Sequence, residues 1–261
     1  MTHWAAMVED IKNAKREVTI ALVGKYVQLH DAYLSVEESL FHAGTACGAV
    51  VHIRWIDSET VTPENVAQKL AGCGGVLVPG GFGDRGIEGM IAAARYARES
   101  GLPYFGICLG MQIAVIEFAR HVLGWADAHS TEMAPQTTHP VIDLMPDQVG
   151  VSSKGGTMRL GQYPCVLAAD SRARTLYGQT EISERHRHRY EFNNDFRDRI
   201  TAAGLLPTGT SPDGRLVEIV EIPAHPWFVG VQFHPELKSR PNHAHPLFRD
   251  FIRAAKEKAG K

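Results

Sequence analysis

The stretch from Pro103 to Gln112 constrains the fold more than any other part of the chain. A short apolar run stops at Gly106-Ile-Cys-Leu-Gly110, and a helical pattern begins directly after it. This spacing predicts a nucleophile elbow, in which a strand turns sharply into a helix with Cys108 at the turn. Flanking glycines let strand and helix approach closely, and the helix dipole favours the reactive thiolate. A lone cysteine is more often a buried core residue, so this interpretation depends on the rest of the chain.

Apolar runs alternate with helical patterns in the first part of the chain and predict an α/β fold. The predicted strands are 18–23, 50–56, 76–78 and the run that ends at 107. The predicted helices are one opened by a Ser35/Glu38 capping box and closed by Gly44, one starting at Thr62-Pro63, and one running to Gly101. This alternation indicates a mostly parallel central sheet with helices on both faces. Ligands bind at the carboxyl ends of such strands.

The second half of the chain is patterned differently. Residues 121–160 lose periodicity and predict long connections, with 154–161 as a mobile loop over a site. Shorter apolar segments then predict a smaller β-rich C-terminal part, followed by a last amphipathic helix. These segments are 164–168, 185–192, 216–222 and 228–233.

Composition excludes several classes of protein. The 261 residues are 44% hydrophobic and 21% charged, which fits one large soluble domain or two small ones. A net charge of −2 gives no electrostatic basis for binding nucleic acid or an acidic membrane. No apolar run reaches the roughly 18 residues of a membrane span, and the N-terminus lacks a signal-peptide core. The four cysteines show no C-x-x-C spacing, so we expect free thiols, no metal site and a cytoplasmic setting.

The glycine-rich turn after residues 76–78 supports a reaction at Cys108. Gly81-Phe-Gly-Asp-Arg-Gly86 fits the G-x-G-x-x-G pattern, but the ribose-binding acid expected about 20 residues later is missing. Dinucleotide binding is therefore disfavoured. Unencumbered N–H groups beside a nucleophile can instead bind a developing oxyanion. We expect Gly81 and Leu109 to supply the two donors.

A histidine and a carboxylate at the end of a late strand complete the candidate site. The segment Gly230 to Glu236 is an apolar run that ends in His-Pro-Glu. A thiol nucleophile needs a histidine base, and the base needs a carboxylate that fixes its tautomer. Alone, His234 would more often be a surface or core histidine. Together with the cysteine elbow it is predicted to be the base, with Glu236 as its orienting group.

The segment from Arg185 to Tyr190 alternates arginine and histidine. In an extended strand the three arginines face one side, and His186, His188 and Tyr190 face the other. Adjacent guanidinium groups would repel a divalent cation, and the low net charge disfavours nucleic acid. An arginine row beside the site suits carboxylate or phosphate capture.

With these residues in place, the chain resembles the class I (triad) glutamine amidotransferases and, more narrowly, the glutaminase domain of CTP synthases. The general motifs are Pro79–Gly81, Gly106–Gly110 and Phe233–Glu236. The narrower motifs are Val23–Tyr26 with Asp31–Tyr33, Gly80–Gly83, Gly155–Gly161 and Glu184–Glu191. The resemblance covers nearly the whole chain from about residue 18.

The resemblance implies a flavodoxin-like glutaminase domain over 17–261, preceded by a linker helix over 1–16. It also implies hydrolysis of L-glutamine to glutamate and ammonia through a thioester on Cys108, with His234 and Glu236 completing the triad. The implied substrate contacts are Gly81, Leu109, Gly110, Met111, Gln112, Glu132 and Arg189. Glu132 would meet the α-ammonium group, and Arg189 the α-carboxylate end.

The resemblance also implies partners. Family members are activated by GTP, for which Phe82 and the 154–161 loop are the candidate contacts. ATP and Mg²⁺ belong to an amino-terminal amidoligase domain that makes CTP from UTP and is absent here, so this chain is expected to need no cofactor. The full-length family members are expected to be homotetramers.

Three other functions stay open. A γ-glutamyl hydrolase uses the same triad on a larger substrate, and an open pocket beside Arg189 would favour it. The glutaminase of another complex, such as GMP synthase, is disfavoured by residues 184–191. The third is a non-catalytic regulatory module that binds glutamine or GTP, which the intact triad argues against.

Overall fold

Strands and α-helices alternate from the first helix to the fifth in this computed structural model, which describes residues 2–144 and 158–260. The strands are β1 (Arg16–Gly24), β2 (Ala49–Asp57), β3 (Gly75–Val78), β4 (Tyr104–Ile107), β5 (His129–Ser130), β6 (Pro140–Leu144), β7 (Arg159–Leu167), β8 (Glu181–His188), β9 (Tyr190–Phe192), β10 (Leu206–Thr210), β11 (Val217–Glu221) and β12 (Phe228–Val231). The α-helices are α1 (Thr2–Asn13), α2 (Leu34–Ala46), α3 (Val66–Lys69), α4 (Ile87–Ser100), α5 (Leu109–His121), α6 (Arg172–Tyr177), α7 (Arg197–Ala203) and α8 (Pro246–Ala259).

Nine strands form one mixed sheet in the order β2-β1-β3-β4-β12-β11-β10-β7-β8. The five strands from β2 to β12 are parallel, and the strands beyond β12 are antiparallel. The predicted α/β class with a largely parallel centre is confirmed. The β-rich C-terminal strands mostly continue this sheet, because β12 pairs directly with β4.

Helices cover both faces of the sheet, as predicted. On one face α4 and α5 bury Met90 and Met111 against strand residues such as Val78. On the other face α2 and α8 bury their apolar side chains against residues such as Leu22 and Phe105. These parallel strands are apolar on both faces and therefore appear in the sequence as continuous apolar runs.

The second half contains more structure than the predicted long connections. Strands β5, β6 and β9 form a separate three-stranded sheet. The predicted strand 185–192 is interrupted at Arg189, so that β8 lies in the large sheet and β9 in the small one. The first half of the predicted 154–161 loop, residues 154–157, lies outside the described residues. Its end from Arg159 onward is strand β7, paired in register with β8.

Three predicted helix boundaries are wrong. The capping box at Ser35 and Glu38 is absent, because a 3₁₀ turn (His30–Tyr33) leads directly into α2 and no side chain caps the helix. Gly44 lies inside α2, where a Cβ would approach Val51 Cγ2 to 2.7 Å, so this glycine permits close packing on β2. The helix expected at Thr62-Pro63 is a turn there, and α3 begins only at Val66.

Helix α1 precedes the first strand and keeps part of its apolar surface exposed. Trp4, Val8 and Ile11 are each about half exposed, and the helix contacts α2. Among the described residues, no helix combines the length and the apolar character that crossing a membrane requires.

Candidate active site

Cys108 lies at the turn between β4 and α5 in a strained backbone conformation. Its φ of 51° makes it the one non-glycine residue with positive φ among the residues described. Such strain persists only where the surrounding structure enforces it, and it is common at functional sites. A Cβ on Gly110 would lie 2.1 Å from the carbonyl oxygen of Val78, and a Cβ on Gly106 would meet the Gly110 backbone at 2.5 Å. The predicted strand, turn and helix are therefore present, and both glycines are required by close packing.

The strand β12 brings His234 next to this turn. The His234 backbone N–H donates to Arg185 O on β8 at 2.7 Å, and this bond fixes His234 just beyond the end of β12. Gly80 shows how close the two side chains lie, since a Cβ there would be 2.9 Å from His234 Cε1 and 3.6 Å from Cys108 Cβ. The histidine ring and the thiol therefore face the same small space.

Glu236 orients the His234 ring. His234 Nδ1 donates to Glu236 Oε1 at 2.7 Å, and both side chains are largely buried. This tautomer leaves Nε2 as the free ring nitrogen, which is buried without a hydrogen-bond partner among the described residues. Burial lowers the pKa of His234, but the charges of Cys108 and Glu236 and the hydrogen bond to Glu236 outweigh burial and raise it. The imidazolium, which can return a proton to a leaving group, is thereby favoured.

The two predicted oxyanion donors lie side by side. Gly81 follows β3, and a Cβ on it would approach the Leu109 side chain to 3.2 Å. Leu109 is the first residue of α5, so its N–H has no partner within the helix. The helix dipole adds positive potential at this point.

Three predicted substrate contacts lie mainly beneath the site. The Gly110 carbonyl accepts a hydrogen bond from Tyr104, and the Met111 side chain is fully buried. Gln112 is buried too, and its side-chain amide donates to Tyr190 O at 3.1 Å and to Gln232 Oε1 at 3.3 Å. The Met111 and Gln112 side chains fix neighbouring segments, and the N–H groups of both residues donate to Cys108 O. Direct contact of residues 110–112 with a substrate therefore stays a prediction.

Glu132 and Arg189 are the two charged residues among the predicted substrate contacts. Glu132 Oε1 accepts from the Gly83 N–H at 3.3 Å, next to the oxyanion turn. Arg189 lies at the break between β8 and β9. Burial raises the pKa of Tyr190, with Glu132 raising it further and Arg189 lowering it, so both charges lie within electrostatic range of that hydroxyl. Contact of either residue with a substrate stays a prediction.

A cavity of about 420 Å³ opens onto the triad. Cys108, His234, Glu236 and Gly81 line it, together with Phe82, which is 46% exposed. The Arg187 guanidinium lies over the Phe82 ring, 5.5 Å from its centroid.

Several residues of this cavity were not predicted as catalytic or substrate-binding residues. The segment 31–36, including Tyr33, lines it, and so does Arg187, which was predicted only as part of the arginine row beside the site. The signal was present in the Asp31-Ala-Tyr33 motif. Gln232 was also missed, although its amide donates to Cys108 Sγ at 3.6 Å.

In the described part of the chain, one group of side chains has donor atoms close enough to hold a metal. The donor atoms of His186, His188 and Glu218 lie within 4.8 Å of one another. Arg159 Nη1 donates to Glu218 Oε1 at 2.5 Å, so a guanidinium already provides the positive charge. His188 Nδ1 donates to Tyr190 O at 3.0 Å, hence its Nε2 accepts from His186 Nδ1 at 3.1 Å. Burial, aided by the charge of Arg159, lowers the pKa of both histidines, which favours the neutral rings.

The arginine at this cluster is not one of those expected. From the sequence, the arginine row of β8 was expected to repel a cation. Arg185 and Arg187 instead point to the exposed face, opposite His186 and His188. The absence of a metal stays a prediction, now with Arg159 as its reason.

Comparisons with known proteins agree with this geometry. The family model "Glutamine amidotransferase class-I" matches residues 28–254. The CTP synthase of Clostridium acetobutylicum is 64% identical over 254 residues, which are 97% of this chain and 48% of that protein. The CTP synthase of Moorella thermoacetica is 61% identical over 260 residues, again 48% of its length. The chain thus spans about half the length of the curated relatives it matches.

A solved structure indicates which half of these relatives the chain matches. The glutaminase domain of Trypanosoma brucei CTPS with bound acivicin has a TM-score of 0.86 and 39% identity, covering 92% of this chain and 94% of that one. The chain belongs to the class I glutamine amidotransferase family and, within it, to the glutaminase domains of CTP synthases.

Proposed function

We propose that this chain hydrolyses L-glutamine to glutamate and ammonia through a thioester on Cys108. The observation that carries the proposal is the buried His234–Glu236 pair, 2.7 Å apart, beside a cysteine in a strained elbow. Nucleophile, base and orienting group are the parts that covalent acyl transfer requires.

The first half of the reaction forms the thioester. Cys108 Sγ attacks the side-chain carbonyl carbon of glutamine, and the carbonyl oxygen becomes an oxyanion held by the N–H groups of Gly81 and Leu109. The C–N bond then breaks as His234 donates its proton to the departing ammonia.

The second half releases glutamate. Water gives a proton to His234 and adds to the thioester carbonyl, and the thiolate leaves as the tetrahedral intermediate collapses. Glu236 keeps Nδ1 protonated through both halves, so that the same nitrogen, Nε2, exchanges protons each time.

The substrate ends are assigned by charge. Glu132 is proposed to bind the α-ammonium group and Arg189 the α-carboxylate, with the backbone of 109–112 completing the site. Binding of the α-ammonium would require Glu132 to share or release the Gly83 N–H that it now accepts.

The ammonia is proposed to serve an amidoligase domain that makes CTP from UTP with ATP and Mg²⁺, as the name of the curated relatives suggests. Residues 1–16 would then be the linker helix and 17–261 the glutaminase domain. GTP is proposed as activator, with Phe82 as a contact supported by its exposed ring at the cavity rim. For the full-length protein we also propose a homotetramer and a location in the cytoplasm.

The alternatives receive less support. Arg189 is not among the described residues that line the cavity at Cys108, so this cavity gives no specific support to a γ-glutamyl hydrolase. A complete triad has no use in a module that only binds glutamine or GTP.

Replacement of the nucleophile tests the proposal. Cys108→Ala should reduce glutamate release from glutamine to the uncatalysed background and abolish labelling by 6-diazo-5-oxo-norleucine. The matched control is Cys47→Ala, which removes a more exposed thiol and should keep both properties. Labelling that persists in Cys108→Ala, or a wild-type chain that releases no glutamate, would contradict the proposed function.

A further inference from the structure

Lys25 is a buried cation directly beneath the oxyanion turn. It follows β1, and only 2% of its surface is exposed. Its Nζ donates to Phe82 O at 3.0 Å and also to Gly83 O. Its methylene stem lies 3.7 Å from the point where a Cβ on Gly81 would stand. One side chain therefore passes beneath Gly81 and is hydrogen-bonded to the next two residues of the turn.

The position of Lys25 is itself fixed from both sides of its backbone. Its N–H donates to the Tyr33 hydroxyl at 3.1 Å, and its carbonyl accepts from Arg85 Nη2 at 2.6 Å. Arg85 is held in turn by an ion pair with Glu59 at 2.8 Å. The ammonium group is thus placed by a network, as a residue that positions others must be.

The turn is held from its other side by a carboxylate. Glu132 accepts from the Gly83 N–H, while Lys25 donates to the carbonyls of Phe82 and Gly83. Lys25 and Glu132 therefore hold the Phe82–Gly83 peptide unit from opposite sides.

The sequence of the turn explains why such support is needed. Gly80, Gly81 and Gly83 have no side chains to restrict their dihedral angles, and glycine has the largest backbone freedom of any residue. Oxyanion donors lower the barrier only if they are oriented before the reaction begins. A turn rich in glycine therefore needs an external group to hold it.

We propose that Lys25 is a positioning residue of the oxyanion hole, whose ammonium group holds the Phe82 and Gly83 carbonyls so that the Gly81 N–H faces the reacting carbonyl. The inference rests on the proposed glutamine hydrolysis. The positive charge under the turn also favours the negative oxyanion electrostatically. Nothing in the predicted triad mechanism uses this residue.

Lys25→Met tests the ammonium group, because it keeps the apolar stem and removes the donor. Loss of a complete oxyanion donor costs about 100- to 1,000-fold in kcat. In Lys25→Met the Gly81 N–H is still present but less well oriented, so kcat should fall by about 10- to 100-fold. KM should change by less than about threefold, because the oxyanion exists only in the transition state and intermediate. Lys25→Arg keeps a cationic donor and should recover at least part of the lost kcat.

The pH profile separates positioning from packing. Burial lowers the pKa of Lys25 to about 8, with Glu132 and Asp84 opposing and Arg85 assisting the shift. The protonated form holds the turn, so wild-type kcat should fall as the pH rises through about 8. In Lys25→Arg this fall should move to higher pH, because the guanidinium stays charged. The facing groups Glu132, Asp84, Arg85 and Tyr33 are unchanged in both variants.

Lys256→Met is the matched control. Its Nζ also donates to a backbone carbonyl, Cys47 O at 2.7 Å, but at the opposite end of the parallel strands. It should keep kcat within about twofold of wild type. If the wild type is active and Lys25→Met equals Lys256→Met, the positioning role is refuted, whereas an inactive wild type refutes the proposed function instead. If Lys25→Met does not fold, the pH profile of Lys25→Arg decides. A fall of kcat at the same pH as in the wild type overturns the inference, and a fall at higher pH supports it.

Discussion

Gln232 offers a direct test of how the fold activates the nucleophile. Its side chain is fully buried, and Nε2 donates to Cys108 Sγ at 3.6 Å. A donor aimed at sulfur stabilises the thiolate more than the thiol. The change Gln232→Met keeps the length and volume of the side chain and removes this donor.

The expected magnitude follows from the hydrogen bond. A bond to a charged acceptor contributes about 1.5 to 3 kcal/mol, and the long nitrogen–sulfur distance favours the lower value. About 1.4 kcal/mol corresponds to a factor of ten in an equilibrium constant. The alkylation rate of Cys108 at neutral pH should therefore be roughly tenfold lower in Gln232→Met than in the wild type, because the thiolate is the reactive form.

Alkylation by iodoacetamide at neutral pH, followed by mass spectrometry of the Cys108 peptide over time, measures this rate without substrate. The control is Gln112→Met, which removes the amide that donates to Gln232 Oε1 and leaves the Gln232–Cys108 contact in place. We expect its alkylation rate to stay within about twofold of wild type. An unchanged alkylation rate in Gln232→Met would refute the activating contact. Equal decreases in both variants would show that disturbed packing, not the hydrogen bond, sets the reactivity.

Two further predictions concern the triad and the elbow. Since Glu236 acts only through His234, Glu236→Gln should reduce kcat less than His234→Ala, and the double variant should be little worse than His234→Ala. Steady-state glutamate release measures these values of kcat. If the two single losses multiply in the double variant, the residues have independent roles. Gly110→Ala should lower the unfolding free energy by about 3 kcal/mol, because its Cβ would lie 2.1 Å from Val78 O. Gly48→Ala meets no atom within 4 Å and should cost only about 1 kcal/mol for its left-handed backbone. Denaturant titration compares the two glycine variants, and equal losses would contradict the packing argument.

The parts of the fold that the sequence predicted well are those with a strong local cause. Buried parallel strands need apolar side chains on both faces, so 18–23 and 76–78 stand out as uninterrupted apolar runs. The elbow is equally local, because its two glycines and the cysteine lie within five positions. Such features are determined by neighbours along the chain.

The errors arose where contacts between distant segments override local preference. Ser35 and Glu38 have the spacing of a capping box, yet the turn that contains Tyr33 already sets the start of the helix. Gly44 has the composition of a helix end, but it is needed inside α2 for close contact with β2. No local pattern distinguishes these cases.

The candidate site divides in the same way, into residues that perform chemistry and residues that place them. Cys108, His234 and Glu236 were predictable because the reaction limits which residue types can serve. Lys25 and Gln232 were not, since each is defined by a contact across the chain: 57 positions from Lys25 to Phe82 and 124 from Gln232 to Cys108. Yet Lys25 lies within the motif Val23-Gly-Lys-Tyr26, and Gln232 directly precedes the motif Phe233-His-Pro-Glu236. A polar residue at the end of a buried strand, next to a reactive motif, is therefore best examined as a support for that motif before it is assigned to the surface.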